Sequence, residues 1–271
     1  MEGLNQNETI TIVQWNARSL AGYDSKIPQL LNYLETFTST PEILCIQETW
    51  NHEGQQLIHI PGYKPPVSFR RGKDQRGGGV AIYAKIGIDS EEIQYKSKNT
   101  DTEVIILRIF GTKHTLDIAN YYTPGGIPIP ANTYIDITGK MGKHALLLGD
   151  LKKKNELWDS TFKGTDNNGD EIVDFLNATD YVALNSGCGT RINMETGHMT
   201  AIDLTFATAS IAHRCEWRVH DDALGSDHFK VVTSVSVRHK QVRQATAPRW
   251  KLDKADWDLF KQKNTRNEHT F

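Results

Sequence analysis

No stretch of this chain approaches the roughly 20 apolar residues that a membrane-spanning helix needs. The opening residues Met1-Glu2-Gly3-Leu4-Asn5-Gln6-Asn7 also lack a secretory pattern. Cysteine is scarce, with 3 in 271 residues. Cys45, Cys188 and Cys215 are odd in number, far apart and outside any metal-ligand spacing, which argues against a disulfide framework and a zinc site. Cys45 lies in an apolar segment and reads as a packed small hydrophobe. A reduced, intracellular compartment is the expectation. An excess of one charge is missing as well. With 31 Lys+Arg against 33 Asp+Glu the net charge is -2, so the chain as a whole does not announce a polyanion binder. No Walker-type loop is present.

What is present is ordinary for a globular fold: 38% hydrophobic and 24% charged residues, too apolar for wholesale disorder. Strand-like segments recur at Thr9 to Gln14, Ile43 to Gln47, Gly79 to Ala84, Val104 to Phe110, Leu116 to Tyr121 and Ala145 to Leu148. Others follow at Val182 to Leu184, Ala201 to Phe206 and Phe229 to Val237. Several are continuously apolar and β-branched, as strands buried on both faces are. Helical spacing is seen at Lys26 to Thr36 and Asp170 to Ala178. Strands with few helices and no repeat predict two packed sheets with helices outside. Residues 1–8 read as a tail and 9–237 as one domain. From about Arg243 the composition changes, and 238–271 read as a linker and the start of another region.

Polar residues recur where strands end: Asn16 after Val13-Gln14-Trp15, Glu48 after Ile46-Gln47, and Asp150 after Leu147-Leu148-Gly149. Asp203 follows Ile202, and Asp227-His228 precede another strand. Each alone reads as a turn former, a solvated edge or a cap. Together, on one sheet rim, they fit metal-assisted phosphoester hydrolysis. Mg²⁺ takes hard oxygen ligands such as Glu48, a carboxylate such as Asp150 can polarise water, and a His beside a carboxylate can stabilise phosphate oxygens. Local basic groups at Arg70, Arg71, Lys73 and Arg76, at Lys152-Lys153-Lys154, and at Arg238, His239, Lys240 and Arg243 could track a phosphate backbone.

The motifs Gln14-Trp15-Asn16, Ile46-Gln47-Glu48-Thr49-Trp50, Gly77-Gly78-Gly79, Asn120-Tyr121-Tyr122-Thr123-Pro124, Gly149-Asp150, Ile202-Asp203-Leu204 and Ser226-Asp227-His228 occur in order. In them the chain resembles the endonuclease/exonuclease/phosphatase family, and within it the apurinic-type endonuclease domain of non-LTR retrotransposon reverse transcriptases. The resemblance implies an α/β fold, a four-layered α/β sandwich. It implies that Glu48 holds Mg²⁺ or Mn²⁺ with Asp227 on the metal side, and that Asn16 lies close to metal and phosphate. Tyr122 would contact the phosphate, Asp150 orient or deprotonate the attacking water, His228 bind the scissile phosphate and Asp203 fix its ring. Arg70 and Arg71 would assist DNA binding. The implied partners are double-stranded DNA and an adjoining reverse transcriptase, with no membrane, a monomeric isolated domain and action in the nucleus. The segments Arg70 to Arg76, Pro124 to Asn132 and Arg191 to Thr200 are candidates for target choice.

One position departs from the pattern. Where the family reads Gly-Asp-Phe-Asn, this chain has Gly149-Asp150-Leu151-Lys152. An amide donates and accepts; an ammonium only donates and is repelled by a divalent cation. At 4 Å and an effective dielectric of about 20, unit charges interact by roughly 4 kcal/mol, doubled for a divalent ion. Lys152 could point outward, pair with Asp150 or take over phosphate binding. Three functions follow: a DNA endonuclease that nicks a target for reverse transcription, a catalytically impaired DNA-binding copy, or another phosphoesterase of the same fold.

Overall fold

The computed structural model describes residues 9–20, 25–51, 56–71, 77–99, 101–110, 115–125, 127–164, 166–236 and Trp257. The elements run β1 (Thr9–Asn16), α1 (Ile27–Glu35), β2 (Ile43–Gln47), β3 (Val67–Phe69), β4 (Val80–Ala84), β5 (Ser90–Ile93) and β6 (Glu103–Ile109). They continue with β7 (Leu116–Tyr122), α2 (Ala131–Thr138), β8 (Ala145–Asp150), α3 (Asn167–Ala178), β9 (Tyr181–Ala183), β10 (Arg191–Ile192) and β11 (Met199–Thr200). The last are β12 (Asp203–Thr208), α4 (Ala209–Ala212), β13 (Cys215–Val219) and β14 (Val231–Ser236).

One six-stranded sheet has the order β13-β14-β1-β2-β4-β3, the other β5-β6-β7-β8-β12-β9, and β10-β11 form a small hairpin. The central pairs β1–β2 and β7–β8 are parallel, and the remaining ladders of the two large sheets are antiparallel. Side chains alternate along these strands, so each strand serves two cores. Ile10, Ile12, Ile43, Cys45, Ile118, Leu146 and Leu148 fill the space between the sheets. Val13, Trp15, Leu44 and Ile46 point the other way and pack on Leu30, Tyr33 and Leu34 of α1. On the far sheet Leu147, Leu204 and Phe206 meet Tyr134 and Ile137 of α2 and Ile172 and Phe175 of α3. Helix, sheet, sheet and helix give the expected four layers.

The same alternation positions the site. On the inter-sheet face the strands turn from apolar to polar as they approach one rim: Ile10 and Ile12 give way to Gln14 and Asn16, Ile118 to Asn120, and Leu148 to Asp150. Here the sheets are joined by hydrogen bonds. Gln47 Nε2 donates to Asn120 Oδ1 at 2.6 Å, and Asn120 Nδ2 donates to the carbonyls of Ile46 and Ala81, each at 3.0 Å. Pairing offsets most of the cost of burying such groups, although Gln47 Oε1 and Gln14 Nε2 find no partner.

Several boundaries differ from expectation. Helix α3 begins at Asn167, because the Asp166 side chain accepts from Asn168 N–H and caps it. Asn168-Gly169 therefore lie inside the first turn, where a Cβ on Gly169 would sit 2.0 Å from the Lys154 carbonyl. Strand β12 starts at Asp203, its N–H and that of Ile202 being taken by the Thr190 hydroxyl. Helix α2 occupies residues that overlap the end of the expected loop Pro124 to Asn132. The chain divides into two units, Met1–His239 and Lys240–Phe271, and of the second only Trp257 is described. Lys73, Arg76, the group Arg238 to Arg243 and the reading of 1–8 and of the tail apart from Trp257 lie outside the described residues. No described helix is long and apolar enough to cross a membrane.

Lys230, just before β14, offers a test of the core beneath α1. It is fully buried, its ammonium donating to the Asp222 carbonyl and lying 4.2 Å from the Tyr33 ring centre. Burial lowers its pKa to about 8, against the opposing pull of Asp222 and Asp221. The folded state thus sheds this proton before the unfolded chain does, and stability gains from Lys230 as pH rises from about 8 toward 10.5. Urea unfolding across that window should show a gain in the native chain that is absent in Lys230→Met; parallel profiles would contradict the assignment.

Candidate active site

Four rim residues come from strands running the same way in the two sheets. Asn16 ends β1, Glu48 follows β2, Tyr122 ends β7 and Asp150 ends β8. Strand β12 runs antiparallel to β8, so Asp203, its first residue, lies directly across from Asp150. His228 precedes β14, the antiparallel neighbour of β1. Its loop is tied to the end of β1: Ser226 Oγ donates to the Asn16 carbonyl at 2.8 Å and Trp15 Nε1 to the His228 carbonyl at 3.2 Å. Sequence segments more than 200 residues apart are thereby fixed against each other.

Asn16 Nδ2 donates to Glu48 Oε1 at 3.0 Å and to Asp150 Oδ2 at 2.8 Å, bridging the two sheets. Glu48 also accepts from the Tyr122 hydroxyl at 3.0 Å and from Trp50 Nε1 at 3.2 Å. His228 Nδ1 lies 3.0 and 2.9 Å from the two Asp203 oxygens, while its Nε2 stands 3.9 Å from Asp150 Oδ2. The sequence candidates Asn16, Glu48, Tyr122, Asp150, Asp203 and His228 therefore form one connected cluster.

Electrostatics divides their roles. Burial alone would discharge His228, but Asp203 and Asp150, helped by Asp227, raise its pKa to about 9, so the ring is an imidazolium at neutral pH. Burial raises Asp150 to about 6, with His228 and Lys152 pulling it back. Burial pushes Glu48 up too, yet Lys152 and the bonds from Asn16 and Tyr122 leave it below its usual value. The Tyr122 phenol is raised by burial and by Glu48, which keeps it a donor. Asp150 Oδ1 is buried without a hydrogen-bond partner, as is Gln47 Oε1 among the polar groups between the sheets. A carboxylate oxygen left bare in this way awaits a ligand or a water.

Lys152 turns inward. Its ammonium lies 3.5 Å from Glu48 Oε1, from Asp150 Oδ2 and from the Tyr122 hydroxyl, and 4.9 Å from the Tyr122 ring centre. Of the three fates open to it, pairing with Asp150 is the one observed, and Glu48 shares it. Burial would lower its pKa, but Asp150 and Glu48 outweigh that and hold it charged. Lys152 and Glu48 have φ of 54° and 52°, a left-handed conformation unusual for either side chain. The other two lysines separate from it: Lys153 Nζ donates to the Ile127 carbonyl at 2.9 Å, and Lys154 lines a cleft beside the site.

That open cleft, of about 420 Å³, is bordered by Gly125, Lys152, Lys154, Arg191, Asn193 and His198. Most of its wall comes from the β10–β11 hairpin, within the segment marked for target choice. Asp227 is engaged by guanidinium groups, Arg191 at 2.9 Å and Arg18 at 3.7 Å. Arg70 donates to the carbonyls of Asn51 and Gly77, and Arg71 pairs with Asp101 at 2.8 Å, so both tie their loop to neighbouring segments. Sequence reasoning placed Arg191 only in a segment for target choice, without its contact to Asp227, and gave Trp50 no role of its own. Trp50 stood in a quoted motif, but its indole could not be aimed at Glu48 without the left-handed turn at Glu48.

Asp150, Asp203 and His228 offer ligand atoms within 4.8 Å of one another and form a group that could hold a metal. The imidazolium state of His228 and its bond to Asp203 work against that set. Glu48 and Asp150 provide hard oxygen donors suited to a divalent ion, with Asp150 Oδ1 unpartnered, whereas Asn16 turns its amide NH2 toward them and its Oδ1 accepts from Arg18 N–H; the ammonium of Lys152 already stands between the carboxylates. The donors fit once that ammonium withdraws.

Two six-stranded mixed sheets flanked by helices, with an acidic and histidine-bearing rim, define the fold class of endonuclease/exonuclease/phosphatase proteins. A family described as endonuclease-reverse transcriptase matches residues 116–232, spanning Tyr122, Asp150, Asp203 and His228 but not Asn16 or Glu48. The endonuclease domain of TRAS1, a telomere-specific non-LTR retrotransposon, is similar over 85% of this chain and 99% of its own, with 20% identity and a TM-score of 0.65. An AP endonuclease from Archaeoglobus fulgidus is similar over 83% and 98%, at 21% identity and 0.62. An AP endonuclease from Leishmania major is similar over 86% and 88%, at 14% and 0.65. No curated protein matches the chain. The matches bear out the resemblance carried by the sequence motifs.

Proposed function

We propose that this chain hydrolyses phosphodiester bonds in double-stranded DNA, as an endonuclease that nicks one strand. The observation that carries the reading is the juxtaposition of an ionisable, half-unpartnered Asp150 with the His228 imidazolium, itself held by Asp203. In this reading Asp150 orients a water and takes its proton as the water oxygen bonds to phosphorus. The bond from phosphorus to the 3′ oxygen breaks and that oxygen takes a proton from solvent water, leaving a 3′-OH and a 5′-phosphate. His228 and the Tyr122 hydroxyl donate to the phosphate oxygens as their charge grows. Mg²⁺ or Mn²⁺, held by Glu48 and Asp150 beside Asn16, would add Lewis-acid stabilisation of that charge. The cleft with Lys154 and Arg191 would carry the flanking backbone, and the hairpin Arg191 to Thr200 would bear on target choice. The likeness to a retrotransposon endonuclease domain supports an adjoining reverse transcriptase primed by the 3′-OH; action in the nucleus and a monomeric isolated domain complete the proposal.

A second reading, an attenuated enzyme that binds DNA and turns over slowly, is favoured by Lys152 alone. Conversion of supercoiled plasmid to open circle in Mg²⁺ tests both. We expect slow nicking by the native chain and at least about tenfold faster nicking by Lys152→Asn, given the charge repulsion removed. Equal rates would remove the second reading. Hydrolysis of a small soluble phosphodiester, with plasmid left intact by both proteins, would overturn the first.

A further inference from the structure

We propose that Lys152 is a built-in cation of the rim, which competes with divalent metal for the position between Glu48 and Asp150. The inference rests on reading this rim as the functional site but needs no turnover. Its basis is geometric. A single ammonium sits at 3.5 Å from one oxygen of each carboxylate and from the Tyr122 hydroxyl, the place where the oxygen donors of the cluster converge. Asn16 holds those same two carboxylates together from its own side. The fully buried Asp150 Oδ1 remains without a partner, so the ammonium satisfies the charge of the cluster without using all its ligand atoms.

Charge balance points the same way. Two carboxylates, Glu48 and Asp150, face the single ammonium of Lys152. Removing the ammonium leaves a net double negative charge that a divalent ion would neutralise. Lys152 also has somewhere to go, because it borders the open cleft shared with Lys154 and Arg191, and its stem lies against Gly125, where no side chain blocks it. A divalent ion therefore enters only as Lys152 leaves, and the work of displacing it weakens the apparent affinity.

The test is direct Mn²⁺ binding, read from the free-ion electron paramagnetic resonance signal, on the native chain and on Lys152→Asn, Lys152→Met and Lys152→Arg. The two neutral variants should bind Mn²⁺ at least about tenfold more tightly, as loss of a unit charge near 4 Å implies, while Lys152→Arg stays as weak as the native chain. Adding Glu48→Ala to Lys152→Asn should abolish the gain. Circular dichroism checks folding; asparagine suits the left-handed backbone at this position, so Lys152→Asn carries the test should Lys152→Met unfold. Folded neutral variants that bind Mn²⁺ no more tightly than the native chain would overturn the proposal. Tight Mn²⁺ binding in them with plasmid left uncut would instead count against the endonuclease reading alone.

Discussion

Asp150→Asn is expected to cut the nicking rate by roughly 10² to 10⁴, the range for loss of a positioned general base. The same substitution should leave stability unchanged or raise it. The carboxyl is fully buried and its pKa is raised to about 6, so even with His228 and Lys152 beside it the ionised form is held at a net cost to the fold. Its folded pKa lies above the unfolded one, so the cost is absent when both states are protonated in acid and is in force above about pH 6. An amide of the same shape removes it and can still accept from Asn16. Activity and stability are thus predicted to move in opposite directions, as strained functional sites allow. Thermal unfolding at pH 7 beside a nicking assay measures both. A large loss of stability would show that Asp150 supports the fold, and full activity would exclude it as the base.

The second large effect is Gly149→Ala. Gly149 has φ of 154° and faces Tyr121 across the parallel β7–β8 ladder, where an added Cβ would lie 1.8 Å from the Tyr121 carbonyl oxygen. The obstacle is backbone, in the middle of a sheet buried on both faces, so nothing flexible can move aside. We expect about 3 kcal/mol or more of destabilisation, a drop of roughly 6 to 12 °C in Tm for a domain of this size. Nicking should fall in the surviving folded fraction as well, because a shifted β8 end carries Asp150 away from Asn16. A Tm within 2 °C of the native value, which corresponds to about 1 kcal/mol or less, would show that the ladder can open at this point.

The parts of the architecture that were legible beforehand are those where one physical signal dominates. Strands β1, β2, β4, β7 and β8 are buried along nearly their whole length, and an apolar, β-branched run is the direct imprint of that burial. Strands β3, β5 and β13 are at sheet edges and only partly buried, so Ser68, Glu91 and Glu216 interrupt the pattern. Helix α2 was hidden because Ala131-Asn132-Thr133-Tyr134-Ile135-Asp136-Ile137-Thr138 is rich in β-branched residues, and packing of Tyr134 and Ile137 against α3 and the sheet overrides that preference.

The site divides along the same line. Its strand-end residues could be picked out because polar groups after apolar runs are costly unless used, and period-two alternation then delivers Asn16, Tyr122 and Asp150 to one face. Directions of individual long side chains were beyond reach. Lys152 turning inward and Arg191 taking Asp227 both depend on backbone turns and tertiary neighbours that no local pattern encodes.

On the reading proposed above, this rim cleaves DNA and Lys152 restrains it. The most direct measurement is single-turnover nicking of supercoiled plasmid in Mg²⁺ by the native chain, by Lys152→Asn and by Lys152→Asn carrying Asp150→Asn. Slow conversion to open circle, fast conversion and almost none are expected, in that order. Plasmid bound but left closed by Lys152→Asn, or cut equally well without Asp150, would contradict it.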